Sequence, residues 1–202
     1  MLRINSCMLM LLASISTFAQ EVETKLKYKP TFGFNVGLNQ SALYNSNDKD
    51  QLTIDNGLGF RLGVTSNFPL KNQWSIAPKA ELSFNNARIT ENNITYKVDP
   101  YNLDFMAHVK YNFKGFNSKV RPYCYFGPNV RVPVSSNSDN SIYSTRTSFA
   151  FDFAFGVDCE LKNFLISPEI RFSGGLTDIR KNPSGKLLHG SNAALIINFS
   201  GK

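Results

Sequence analysis

One tryptophan, two histidines and three cysteines are spread through 202 residues, and only 18% of the chain is charged. Each scarcity excludes something. Cys7, Cys124, Cys159, His108 and His189 stand far apart, so no zinc-ligand spacing exists. No Walker or Rossmann glycine motif is present, and the acidic stretches "DKD" (48–50) and "SDNS" (138–141) lack the ligand number of a calcium loop. No cofactor or metal is therefore expected. No apolar run approaches the ~20 residues that a spanning helix needs. The formal net charge is +7, yet no Lys/Arg cluster interleaved with aromatics appears, which argues against a nucleic-acid partner.

The N-terminus carries the one short apolar stretch. Arg3 supplies a positive charge, "CMLMLLASI" a short h-region, and Thr17 and Ala19 the small residues of a cleavage site. Residues 1–19 are expected to be a signal peptide, leaving 20–202 as one exported domain of charge +6 once Arg3 is gone. Cys124 and Cys159 remain. A disulfide is conceivable in an exported chain. Their offset register instead favours two small apolar residues facing lipid.

What is abundant is alternation. In "TSFAFDFAFGVDCEL" (147–161), Phe149, Phe151, Phe153, Phe155, Val157, Cys159 and Leu161 share one parity. Ser148, Ala150, Asp152, Ala154, Gly156, Asp158 and Glu160 share the other. Seven more segments behave alike, starting at Phe32, Leu58, Trp74, Tyr101, Val120, Phe164 and Ala193. Connections alternate too. "PLKNQ", "KGFNSK" and "KN" are short, while stretches such as "YNSNDKDQLTID" are long and polar. Segments of ~9–13 residues suit strands crossing a bilayer at a tilt. The fold class expected is all-β: a single antiparallel up-and-down transmembrane β-barrel, eight-stranded, in the outer membrane, with short periplasmic turns and long outside loops.

Such a barrel is just filled by side chains. The bulky parity then meets lipid and the small and charged parity fills the lumen. Buried charge must be paired, and the inward parity holds both signs. It comprises Arg61, Lys79, Lys110, Arg121 and Arg171 against Glu81, Asp104, Asp152, Asp158, Glu160 and Glu169, with His108 among them. These residues form the expected structural charge network. Phe32, Phe68, Trp74, Phe113, Phe164 and Phe199 lie near the short-turn ends and form the expected periplasmic aromatic girdle. Lysines cluster at the same end, Lys25, Lys27, Lys29, Lys71, Lys114, Lys119 and Lys162, with Glu21 and Glu23 opposing.

"YNLDFMAHVKYNF" followed by "RPYCYFGPNV", the opening "FGFNVGLNQS", the hairpin "FGVDCELKNFLISPEIRFSGGLTDI" and the closing "AALIINF" together resemble the PorT-like outer-membrane β-barrel family. The chain departs from it at Asp104–His108, where the family often has an apolar run, and by continuing past Phe199. The resemblance implies an outer-membrane barrel and points toward type IX protein secretion.

His108 and neighbouring Ser, Asp and Glu residues raise a second possibility, a lipid A deacylase or acyltransferase. A lumen-deep histidine with Lys110 and Asp104 beside it reads instead as structural, and no catalytic residue is expected. A narrow solute pore is the third possibility. The expected function is a non-enzymatic, structural or accessory role in the envelope. The expected partners are outer-membrane lipids and other envelope or secretion proteins. They would be met through the loops at 44–55, 88–99, 132–145 and 174–187 and through the periplasmic turns.

Overall fold

The computed structural model describes residues 29–45, 53–71, 73–91, 94–98, 100–134, 142–143, 145–179 and 188–201. The expected signal peptide, Lys25, Lys27 and the two acidic loop tips lie outside them. The strands in chain order are β1 (Thr31–Asn45), β2 (Thr53–Asp55), β3 (Gly57–Pro69), β4 (Trp74–Phe84), β5 (Arg88–Glu91) and β6 (Ile94–Val98). They continue with β7 (Tyr101–Asn112), β8 (Val120–Pro133), β9 (Ile142–Tyr143), β10 (Ser148–Glu160), β11 (Phe164–Gly175) and β12 (Leu188–Gly201).

Eight of these close on themselves in the order β1-β12-β11-β10-β8-β7-β4-β3, every pair antiparallel. Closure leaves no barrel edge, so the wall's backbone groups find partners within the sheet, as a hydrocarbon environment demands. The strands run the expected way, with turns at 70–73, 113–119 and 161–163 on one end and the long connections on the other.

Side-chain period two sorts the residues by medium. Along β10, Phe149, Phe151, Phe153 and Phe155 are 41–52% exposed, whereas Ala150, Asp152 and Ala154 are at most 1% exposed. Along β7, Asn102, Asp104, Met106, His108, Lys110 and Asn112 are buried between exposed Tyr101, Phe105 and Val109. The hydrophobic surface faces outward and the polar set is the core, which is the inverse of a soluble sheet. The wall is tight where glycines face inward. A Cβ on Gly33 or Gly59 would lie 1.8 Å from the carbonyl oxygen of Phe199 or Phe84.

Prolines interrupt the ladder. Pairing lapses between β3 and β4 at Pro78, between β7 and β8 at Pro128 and between β10 and β11 at Pro168. Proline has no N–H to give, so each site forfeits a rung. At Pro78 the Ser66 hydroxyl donates to the Pro78 carbonyl at 3.3 Å.

The remaining strands were not foreseen. β2, β5, β6 and β9 form a separate four-stranded sheet at the long-loop end, with β6 and β9 parallel. Ile89 and Val98 on its inner side pack with Ala87, Leu43, Ile179 and Leu188, all at most 9% exposed, and Ile54 leans against them. Expected polar loops are in part an apolar cap.

Candidate functional site

The lumen holds the chain's densest chemistry. Its centre is the Glu81 carboxylate of β4. Arg61 Nη1 donates to it at 3.0 Å, Arg171 Nη1 and Nη2 at 2.9 and 2.8 Å, and Asn35 Nδ2 at 3.0 Å. Arg171 Nη2 also donates to Glu169 at 2.9 Å, and Lys79 Nζ donates to Glu169 at 2.9 Å. Glu169 takes further bonds from the hydroxyls of Tyr123, at 3.0 Å, and Tyr125, and from Asn198 Nδ2 at 3.2 Å. These residues come from β1, β3, β4, β8, β11 and β12, so the lattice ties most of the barrel together across its axis. Arg171 and Glu81 are both at most 2% exposed.

A second cluster lies toward the short turns. Lys110 Nζ donates to both Asp158 oxygens at 2.8 and 2.9 Å and sits 3.8 Å above the Tyr123 ring. Ser167 donates to Asp158 at 2.7 Å. Arg121 binds Glu160 at 3.0 Å and the carbonyls of Phe116 and Ser118, which shapes the 113–119 turn. A third cluster joins His108 to Asp152, with Nε2 3.1 Å from Oδ2. The imidazole stacks on Tyr125 at 4.2 Å. Ser173 donates to the other Asp152 oxygen and receives a bond from Arg131.

Every residue of the expected charge network thus lies inside the barrel, though not as one connected set. Asp104 is the loosest member. Its nearest ion partner is Arg61 Nη2 at 4.0 Å, and neither carboxylate oxygen has a hydrogen bond among the described residues. The amide oxygens of Asn39, Asn102 and Asn129 likewise have no hydrogen-bond partner among the described residues. Sequence reasoning omitted Tyr123, Tyr125, Arg131 and Asn198 from the network. Their inward parity was the available signal. The Tyr123 and Tyr125 hydroxyls are donors that complete Glu169.

The order of contacts among His108, Asp152 and Ser173 bears on chemistry. In a nucleophilic triad the imidazole lies between hydroxyl and carboxylate, where it can take the hydroxyl proton. Here the carboxylate lies between hydroxyl and imidazole, and all three are at most 4% exposed. His189 sits at the start of β12 opposite Tyr44, three residues before Asn192, the register partner of Ser173, and makes no hydrogen bond to this group.

Space in the lumen is divided. One small cavity lies in the short-turn half, against Lys79, Lys110, Asp158 and Glu169. Another lies under the cap, against Asn85, Asn102, Val98 and Ile179. The two share no lining residue, and the Arg61–Glu81–Arg171 layer lies between them.

The expected girdle residues occupy the short-turn end. Phe32 and Phe68 meet edge to face at 5.8 Å, Trp74 leans on Tyr111 at 4.8 Å, and Tyr111 meets Phe113 at 5.5 Å. Phe199 stacks on Phe34 at 5.0 Å, and Phe164 opens β11 with its ring exposed. Cys124 and Cys159 are free thiols on the outward parity, in the β8–β10 register opposite Phe155 and Val120.

Comparison with known proteins agrees with this architecture. The family model described as "Outer membrane protein beta-barrel domain" matches residues 18–181. The outer membrane protein OprG of Pseudomonas aeruginosa superposes with a TM-score of 0.52 at 16% identity, covering 85% of this chain and 93% of that one. The Neisserial surface protein NspA superposes at 0.48 with 15% identity, covering 83% and 97%. No curated protein matches the sequence.

Proposed function

Because the chain belongs to the outer membrane protein beta-barrel domain family and is integral to the outer membrane, we propose that it serves the envelope as a closed, non-enzymatic barrel with an accessory role. The observation that carries this reading is the Arg61–Glu81–Arg171–Glu169–Lys79 lattice across the lumen. A lumen crossed at its centre by paired charges is obstructed to an aqueous path, and its His108 cluster lacks the contact order of a hydrolase. Work is then left to the two ends, through other envelope proteins and lipids. The PorT-like strand motifs make type IX protein secretion the process to examine first.

The test is a clean deletion. Secreted and surface-anchored proteins are compared with the parent strain, and the intact gene and a His108→Ala copy are each returned. Loss of many secreted proteins, restored by both copies, supports an accessory role in export. An unchanged secretome removes the secretion reading. A lipid A or phospholipid change rescued by the intact gene but not by His108→Ala overturns the non-enzymatic one. Planar-bilayer recording of the purified barrel should be silent, and steady unitary currents would favour the pore instead.

A further inference from the structure

The short-turn end carries a charge pattern that the lumen does not use, and a use for it rests on the proposed reading that the barrel works through its ends. Lys29, Lys71, Lys114, Lys119 and Lys162 are all exposed there. Each stands just beyond exposed apolar surface in the chain. Lys71 follows Leu70, Lys114 follows Phe113, Lys162 follows Leu161, Lys119 precedes Val120, and Lys29 lies three residues before Phe32. Those apolar neighbours are 42–63% exposed. Among the described residues the acids near this rim are engaged: Asp158 and Glu169 are buried in the lumen, and the partly exposed Glu160 is held by Arg121.

The turns also hold the lysines in place. Leu70 N donates to the Trp74 carbonyl at 2.9 Å and Trp74 N to the Lys71 carbonyl at 3.2 Å. Leu161 N donates to the Phe164 carbonyl at 2.9 Å, and the Arg121 guanidinium clasps the 113–119 turn. The opposite end is mixed in sign. There Asp55 pairs with Arg88 across β2 and β5, and Arg88 with Lys97 across β5 and β6.

We propose that this rim is a binding surface for the anionic headgroups of inner-leaflet phospholipids, with phosphatidylglycerol as the probe. The lysine stems lie along the apolar band while the ammonium groups reach the phosphate level, the geometry by which lysine snorkels. The aromatic girdle marks that level on the wall. An acidic protein partner would need no apolar residue beside each lysine. A membrane interface does, because the band must end in lipid tails and the charge must begin at the headgroups. Attraction of this kind is worth about fivefold in affinity per lysine close to an anionic surface and weakens with salt.

The test uses the whole chain refolded into vesicles of phosphatidylcholine and phosphatidylglycerol in equal parts, with mass spectrometry of the lipids that stay bound after gentle extraction. The wild type should retain phosphatidylglycerol over phosphatidylcholine by about fivefold or more, with the preference falling as salt rises. Changing all five lysines to glutamine should abolish the preference, and changing them to arginine should keep it, with the folded fraction checked by gel mobility. If the glutamine variant does not fold, Lys114→Gln with Lys119→Gln should still reduce the preference. A wild type without preference, or a glutamine variant that keeps it, overturns the proposal. So does a rim that ignores both lipids but captures an acidic periplasmic protein through the same lysines.

Discussion

Replacing Glu81 with alanine removes the one carboxylate that Arg61, Arg171 and Asn35 share. Arg171 keeps Glu169 at 2.9 Å, but Arg61 is left with Asp104 at 4.0 Å and no hydrogen bond to it. Removing one partner of a buried pair costs about 3–5 kcal/mol, because a desolvated charge is left behind. Arg171's second carboxylate softens the loss and the stranded Arg61 deepens it, so a value near the middle, about 4 kcal/mol, is expected. The assay is urea unfolding in lipid vesicles, followed by the mobility difference between folded and unfolded barrel, with the slope checked for constancy. The companion is the double variant Glu81→Met with Arg171→Met. Apolar replacement of a whole buried pair is often close to neutral, so the double variant should be less damaged than the sum of its singles by about 1–3 kcal/mol. A single-variant loss below about 1 kcal/mol, the range of exposed ion pairs, together with additive behaviour in the double, would refute the closed, dry lattice.

Three further outcomes follow from the wall and the cap. Phe153→Arg, on the lipid face near the middle of β10, should cost about 2–4 kcal/mol in the same unfolding assay, a penalty absent when the barrel is folded in a thin bilayer. Gly59→Ala should impair folding, since its Cβ would meet the Phe84 carbonyl at 1.8 Å, whereas Gly190→Ala, whose nearest neighbour would be 3.7 Å away, should fold as the wild type does. Ile89→Ala should loosen the cap by about 2–5 kcal/mol, read as faster proteolysis within the long loops while the barrel keeps its folded gel mobility, because Ile89 is 1% exposed in a cluster outside the membrane wall.

The barrel was legible because its signal is long. Each wall strand runs at least 11 residues, and alternation over such a span is unambiguous even though it cannot say which face is wet. Segment length and number, the expected signal peptide and the alternation of short turns with long loops decided the faces. The placement of charge agrees with them. Arg61, Glu81, Glu169 and Arg171 share a parity with glycine and alanine, opposite Phe and Leu, and a water-facing surface has no reason to pair large cations with small spacers in this way. The cap was illegible for the converse reason. β2 and β9 have three and two residues, and β5 contributes a single buried isoleucine, Ile89, between Arg88 and Thr90. A period cannot be read from one cycle. Its strands exist because Leu43 near the end of β1, Ile179 beyond β11 and Leu188 at the start of β12 supply a shared apolar surface that no local window contains. The tyrosines of the lattice were missed because sequence records that Tyr125 points inward but not that its hydroxyl falls beside Glu169.

The wall strands also constrain where function can reside. Lipid covers the outward parity, so residues such as Phe151 and Leu195 are free to vary within the apolar set without touching a solute. The inward parity is committed to itself: exchanging Lys79 removes one of the two cations on Glu169, and exchanging Tyr125 removes the hydroxyl that both Glu169 and Arg171 use. A new lumen activity would therefore need several coordinated changes, each unfavourable until the others arrive. The ends carry no such coupling. The cap rests on an apolar cluster separate from the ionic lattice, and the lysine rim is anchored by turn hydrogen bonds that do not involve the lysine side chains. Chemistry can change at either end without disturbing the plug.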